Sequence, residues 1–259
     1  MKKILITAPL KQDPKIFDAY QESLDNLIIP DGFEADRFFV VNDCPEVIPH
    51  IRKARYIVHD SDPFTEQTEK HVWRGNTIRR MCDMRNMTII MALKGGYDYW
   101  LSADTDLVLN RHTLEWLLGA DRDIISEIFW TKGTQGLWCN AWMYDDGDVD
   151  NMWPLWQKPG LYEVGGTGAL MLVKRKVFEA GVGYARIPNI RKALSGEDRF
   201  FCVRAACAGF EMWMDTHAPA MHLYGDAEYE LYMNTYKRGE DHAERVQAGA
   251  ENYGDSLRR

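Results

Sequence analysis

The chain has 259 residues, of which 46% are hydrophobic, 27% charged and 12% aromatic. Those proportions exclude a disordered, collagen-like or coiled-coil protein and suit one large α/β domain. A formal net charge of -8 argues against a protein that lives on nucleic acid, because phosphate binding leaves a basic footprint.

In chain order, Ile4–Ala8 reads as a buried strand ended by Pro9. A helix follows over Ile16–Leu27, with Phe17, Tyr20, Leu24 and Leu27 at spacings of three and four. Asp36–Asn42 and Arg55–His59 are two more strands, an alternation that predicts a parallel sheet covered by helices. Asn76–Lys94 is a helix with Ile78, Met81, Cys82, Ile89, Ala92 and Leu93 on one stripe and Gly95-Gly96 as its stop. Arg85 shares that apolar face, which leaves two readings: a stem that packs while its head snorkels outward, or an inward contact with an anion. Tyr97–Ser102 is a strand leading into Asp104-Thr105-Asp106 and Leu107–Leu109, followed by a helix at Thr113–Leu118 and a strand at Asp123–Ile128. Five of the nine tryptophans (Trp130, Trp138, Trp142, Trp153, Trp156) then share a loop-like stretch with Asp145, Asp146, Asp148 and Asp150. They fit either core packing or stacking on a sugar ring. Gly165–Val173 reads as one strand, Ser195–Gly209 as a helix and Phe210–Asp215 as a short strand, and the sequence beyond His222 reads as a polar helical tail.

The five cysteines contain no CxxC pair, and their odd number cannot all be bridged within one chain, as in a reducing cytosol. The apolar run before Lys11 is too short for a signal-peptide core, and no stretch approaches the roughly 20 apolar residues of a membrane span. The expectation is a cytoplasmic protein with no integral membrane segment.

An Asp-x-Asp string occurs five times, so the string alone carries little. Asp104/Asp106 differs because it directly follows a buried strand. The acids there are either a solvated turn capping the next element or carboxylates that need a partner, and context favours the second: a divalent cation carrying a diphosphate supplies one at the strand ends where α/β sheets bind ligands. Glu197-Asp198 suits a helix N-terminus, with Ser195 as cap, and pattern alone favours that reading over a general base presented from the helix start. His217 and His222 flank an apolar segment after the strand Phe210–Asp215; either they are packed or surface residues, or His222 adds an imidazole to Asp106, a mixed N/O set that fits Mn²⁺. The acidic run Asp145–Asp150 lacks the register and closing Glu of a calcium loop and reads as solvated.

Taken in order over roughly residues 3–222, these segments resemble the GT-A glycosyltransferases, particularly the family 2-like enzymes. ILITAPL is similar to that family's first strand, and FFVVNDCPE to the strand whose paired acids hold the nucleoside, with Asn42 in place of the first acid. MRNMTIIMALKGGYDYWLSADTD is similar to its A-R-N … G-x-Y … D-x-D run, GGTGALMLVKRKVFEAG to its G-G … R-x-x-F … G segment, and GEDRFFCVRAACAGF to its E-D … R … G signature.

The resemblance implies a mixed, mostly parallel central sheet flanked by helices. It divides the chain into one catalytic domain over about residues 1–225 and a helical tail over 226–259; residues 1–110 are the nucleotide-binding half and 111–225 the acceptor-binding half. It also implies transfer of a sugar from a UDP- or GDP-linked donor, with Mn²⁺ or Mg²⁺ as cofactor. Pro9, Asp43, Arg85, Asn86, Asp104, Gly165, Gly166 and Thr167 would lie along the donor. Asp106, His222 and Asp104 would hold the metal. Asp198 would be the base of an inverting reaction, with Glu197 beside it in an orienting role, and Trp138 and Trp142 would face the acceptor, whether glycan, metabolite, protein or modified base. Two rivals remain at this point. A nucleotidyltransferase of similar fold would need a Gly-rich triphosphate loop after the first strand, which is absent. A non-catalytic carbohydrate-binding protein would have no need of the acids at Asp104, Asp106 and Asp198.

Overall fold

A computed structural model describes residues 1–59, 75–133, 136–144, 152–190 and 196–236. The acids Asp60 and Asp62, the run Asp145–Asp150, Ser195 and the tail beyond residue 236 lie outside them.

β1 (Lys2–Leu10), β2 (Phe33–Asn42), β3 (Arg55–His59) and β4 (Tyr99–Ala103) form a parallel block in the order β3-β2-β1-β4. Beyond β4 the order continues through β11 (Leu170–Lys174), β6 (Ile124–Gly133), β12 (Met212–His222) and β5 (Leu107–Val108). β11 is antiparallel to both neighbours, whereas β6 and β12 pair in parallel, so six of these eight strands share one direction. β7 (Gly136–Cys139) and β9 (Leu161–Val164) add to β6 and β12, and β8 (Ala141–Trp142) pairs separately with β10 (Gly166–Thr167). This is the mixed, mostly parallel sheet expected from the sequence.

The apolar runs of the central strands bury both faces, as a helix-covered sheet requires. Alternate residues feed two cores. Leu5, Trp100, Ile124, Val173 and Met214 belong to one, with Cys82 and Ile89 of α2 (Gly75–Lys94), Val177 of α4 (Arg175–Glu179) and Phe201 of α5 (Glu197–Cys207). Ile4, Ile6, Leu101, Ile125 and Leu172 belong to the other, with Phe17, Tyr20 and Leu24 of α1 (Pro14–Asp25) and Leu114 of α3 (Thr113–Gly119). Asp13 caps α1 by accepting from the Lys15 N–H at 2.9 Å, ahead of Pro14. α6 (Asp226–Leu231) follows, and Tyr232 beyond it packs with Leu223 against Ile16 and Ala19 of α1. Among the described residues no helix is long and apolar enough to cross a membrane.

Three sequence expectations change. Gly165–Val173 is two strands, because the chain turns at Ala169, where φ is 63°. β12 runs on past Asp215 to His222, since a bulge between Asp215 and Ala220 absorbs Pro219. His217 and His222 therefore lie within a strand rather than flanking a segment after it. The helix expected from Ser195 starts at Glu197, with Gly196 at the cap position and no side-chain cap.

One buried group has no counterpart in the sequence reading. Glu127 on β6 is 2% exposed, neither carboxyl oxygen makes a hydrogen bond, and Asp215 of β12 is its register partner. Burial drives its carboxyl well above the usual range, and Asp215 adds to it. A carboxyl that binds its proton more tightly when folded costs stability as pH rises above its unfolded pKa. Glu127→Gln is therefore expected to raise Tm at pH 7 by a few degrees, and by much less at pH 4. Thermal melts at the two pH values check both the sign and the trend.

Candidate active site

The parallel strands β1, β2 and β4 end along one edge of the sheet, and the chemistry-bearing residues gather there. The turn after β4 is clamped from two sides. The Asp104 N–H donates to the Ala169 carbonyl at 3.0 Å, and the Leu223 N–H donates to the Asp106 carbonyl at 2.7 Å. β12 thereby brings His222 beside Asp106, with Nε2 3.4 Å from Oδ2. The imidazole sits between Phe129 and Tyr224, its centroid 5.1 Å and 5.6 Å from theirs, and its buried Nδ1 has no hydrogen-bond partner.

Arg85 resolves the ambiguity left by helix periodicity, for it points inward and is 1% exposed. Its NH1 donates to Ser102 Oγ at 2.6 Å and its NH2 to Asp104 Oδ1 at 3.0 Å. Its Nε lies 3.8 Å from Asp198 Oδ1, and neither of those two atoms makes a hydrogen bond. The Tyr184 ring covers the guanidinium at 5.5 Å. Burial works against the Arg85 charge, but Asp104 and then Asp198 outweigh it and hold the group ionised. One guanidinium thus ties the acid at the end of β4 to the acid at the start of α5.

Asp198 reaches this position because residue 168 is glycine. A Cβ there would collide with the Asp198 carboxylate. Burial raises the Asp198 pKa well above the ordinary value and the neighbouring Glu197 raises it further, with Arg85 opposing. Glu197, 7% exposed, is also pushed up by burial against the pull of Arg85. Asp104 keeps 32% of its side chain open, yet burial and Asp106 raise it against Arg85.

The remaining sequence candidates divide by role. Asp43 ends β2 in a left-handed conformation, φ 46°, and accepts from Arg80 at 3.0 Å. Asn42 beside it is 8% exposed, with its Oδ1 unbonded. Pro9 is half-buried near the end of β1, in register with Val40. Asn86 turns away from the strand ends and accepts the Tyr184 N–H at 2.9 Å, holding the loop that covers Arg85. Thr167 is fully buried and donates its hydroxyl to the Asn140 carbonyl, Gly165 N–H approaches the Met143 sulfur, and Gly166 lies against the Trp142 ring so closely that no Cβ would fit.

The tryptophans serve different ends. Trp130 and Trp156 are core, Trp153 meets Trp130 edge-on at 5.1 Å, Trp142 stacks under Arg199 at 4.8 Å, and Trp138 is 49% exposed. Ser102, Gly168, Tyr184 and Arg199 were not singled out from sequence. Only Gly168 left a trace there, as the third glycine of GGTG.

Among the described residues no three His, Cys, Asp or Glu side chains converge to close a cation site by themselves. Asp106 and His222 form a two-residue N/O pair with an orphaned imidazole nitrogen, a donor set suited to Mg²⁺ or Mn²⁺ that takes its other ligands from phosphate and water.

No protein-family model and no curated protein matches the chain. Among solved structures it is similar to TarS 1-349 from S. aureus, with 13% identity and a TM-score of 0.47, over 99% of this chain and 72% of that one. It is similar to the same TarS 1-349 in complex with UDP-GlcNAc, with 12% identity and a TM-score of 0.47, over 99% and 73%. It is also similar to the mannosyltransferase PcManGT from Pyrobaculum calidifontis in complex with GDP-Man and Mn²⁺, with 13% identity and a TM-score of 0.46, over 96% and 69%.

Proposed function

We propose that the chain is a glycosyltransferase that moves a sugar from a nucleoside-diphosphate sugar to an acceptor hydroxyl with inversion. The observation that carries the reading is the buried Arg85 tie between Asp104 and Asp198, with the Asp106–His222 pair alongside. It sets a candidate donor side and a candidate base on either side of one cation.

In this reading residues 1–110 form the donor half, with Pro9, Asn42 and Asp43 toward the nucleoside and Asp104 toward the ribose or metal. Residues 111–225 form the acceptor half, with Trp138 and Trp142 as its wall, while Gly165, Gly166 and Thr167 lie toward the donor. Arg85 and Asn86 act from behind the site rather than by touching the donor. Asp106 and His222 would hold Mn²⁺ or Mg²⁺, which when bound neutralises charge on a departing diphosphate. Asp198 accepts the proton of the acceptor hydroxyl as that oxygen attacks the anomeric carbon, and the bond from that carbon to the diphosphate breaks. Glu197 and Arg85 set the orientation and charge of Asp198.

The test is calorimetric titration with UDP, GDP, CDP and dTDP, each with Mn²⁺ and again with EDTA. The expected result is binding of one nucleotide that EDTA weakens at least tenfold and that Asp106→Asn or His222→Ala weakens comparably. Absence of binding by every diphosphate in both conditions would remove the donor reading and leave a carbohydrate-binding protein without transfer activity. Pyrophosphate release from a nucleoside triphosphate would point to nucleotidyl transfer instead.

A further inference from the structure

Arg199 is a cation next in sequence to the candidate base, and among the described residues it has no anion of its own. It follows Asp198 in the first turn of α5, and its guanidinium lies over the Trp142 ring at 4.8 Å. Among the described residues it forms no ion pair, as is also true of Arg122, which stacks on Trp213, whereas Arg37, Arg80, Arg85 and Arg175 are each paired with a carboxylate. What sets Arg199 apart is its place in the chain, directly after Glu197 and Asp198 at the start of α5.

The stack fixes where the guanidinium sits. Trp142 lies in the β8–β10 ribbon in register with Gly166, and only a glycine fits against its ring. A guanidinium lying on an indole keeps its edge N–H groups free and is already oriented for planar, bidentate recognition of phosphate or carboxylate. Trp138 and Tyr144, 49% and 46% exposed, leave apolar surface on the neighbouring β7 and just beyond β8.

Resting on the reading of Asp198 as the base, we propose that Arg199 is a specificity-determining residue and that the acceptor carries an anionic group, phosphate or carboxylate, near the hydroxyl that is glycosylated. Trp142 orients Arg199, Arg199 pairs with the acceptor's anion, and that pairing brings the hydroxyl to Asp198.

The test uses protein loaded with Mn²⁺ and whichever nucleoside diphosphate it binds, titrated with matched probes: glycerol against glycerol 3-phosphate, and glucose against glucose 6-phosphate and glucuronate. At least one charged probe is expected to bind roughly tenfold or more tightly than its neutral partner, the scale of a charge-assisted hydrogen-bonded pair. The phosphate and carboxylate arms tell the two sources apart. Arg199→Gln should erase the preference, Arg199→Lys should keep part of it, and Lys3→Gln, at the opposite end of β1, should leave it intact as a control for net charge. If no charged probe outbinds its neutral partner, or if Arg199→Gln keeps the preference, the inference is wrong. Failure of every nucleotide to bind would instead overturn the donor reading, so the two failures are distinct.

Discussion

Asp198→Asn is expected to cut sugar transfer by roughly 10²–10⁴-fold, the usual contribution of a positioned general base, or about 3–5 kcal/mol of barrier. The substitution keeps shape and loses only the ability to take a proton. Two further readouts separate this from damage to the fold. The native carboxyl holds its proton more tightly than an unfolded one, because burial and Glu197 raise its pKa. Stability is therefore lost as pH rises above the unfolded value, and Asn relieves that cost: the variant should melt higher than the parent near neutral pH, with the gain fading toward pH 4. Activity of the parent has the opposite slope, since only the ionised form accepts a proton, and should climb with pH along a limb displaced upward from an ordinary aspartate. Transfer within a few-fold of the parent would end the assignment of Asp198 as base.

The second large effect concerns Arg85. Arg85→Met leaves Asp104, Glu197 and Asp198 in one buried cluster without the cation that all three feel. Removing one member of a buried ion pair costs about 3–5 kcal/mol, which for a domain of this size corresponds to roughly 10 °C in Tm. The loss should shrink at pH 5, where the stranded carboxyls take up protons at less cost. Arg85→Lys should recover part of the stability, yet an ammonium cannot spread across Ser102, Asp104 and Asp198 as the guanidinium fork does. A Tm for Arg85→Met within about 2 °C of the parent at pH 7 would show that the tie is not structural.

Sequence patterns located the elements whose signals are local. β1, α1, α2 and β4 follow from apolar runs and from spacings of three and four, and the acids after β4 and at the start of α5 stood out by their position next to those elements. What sequence hid is long-range or conformational. Ala169 in a left-handed turn leaves no mark in GGTGALMLV, so two strands read as one. The short strand read at Phe210–Asp215 continues through a bulge around Pro219, which lets β12 carry His222 to Asp106. Periodicity put Arg85 on the apolar face of α2, but its partners Ser102 and Asp198 lie 17 and 113 residues away in the chain. The tryptophans divide by burial, which composition cannot report.

Gly168 gives the site a signature that can be read backward. Its missing side chain leaves room that one oxygen of Asp198 fills, so the two positions form a lock and key within a single chain. A protein that kept this architecture but abandoned the carboxylate would lose the reason to leave position 168 bare, and alanine or serine could settle there without a clash. Glycine at 168 together with aspartate at 198 is thus a paired mark of this arrangement, one that can be looked for in any chain of this topology.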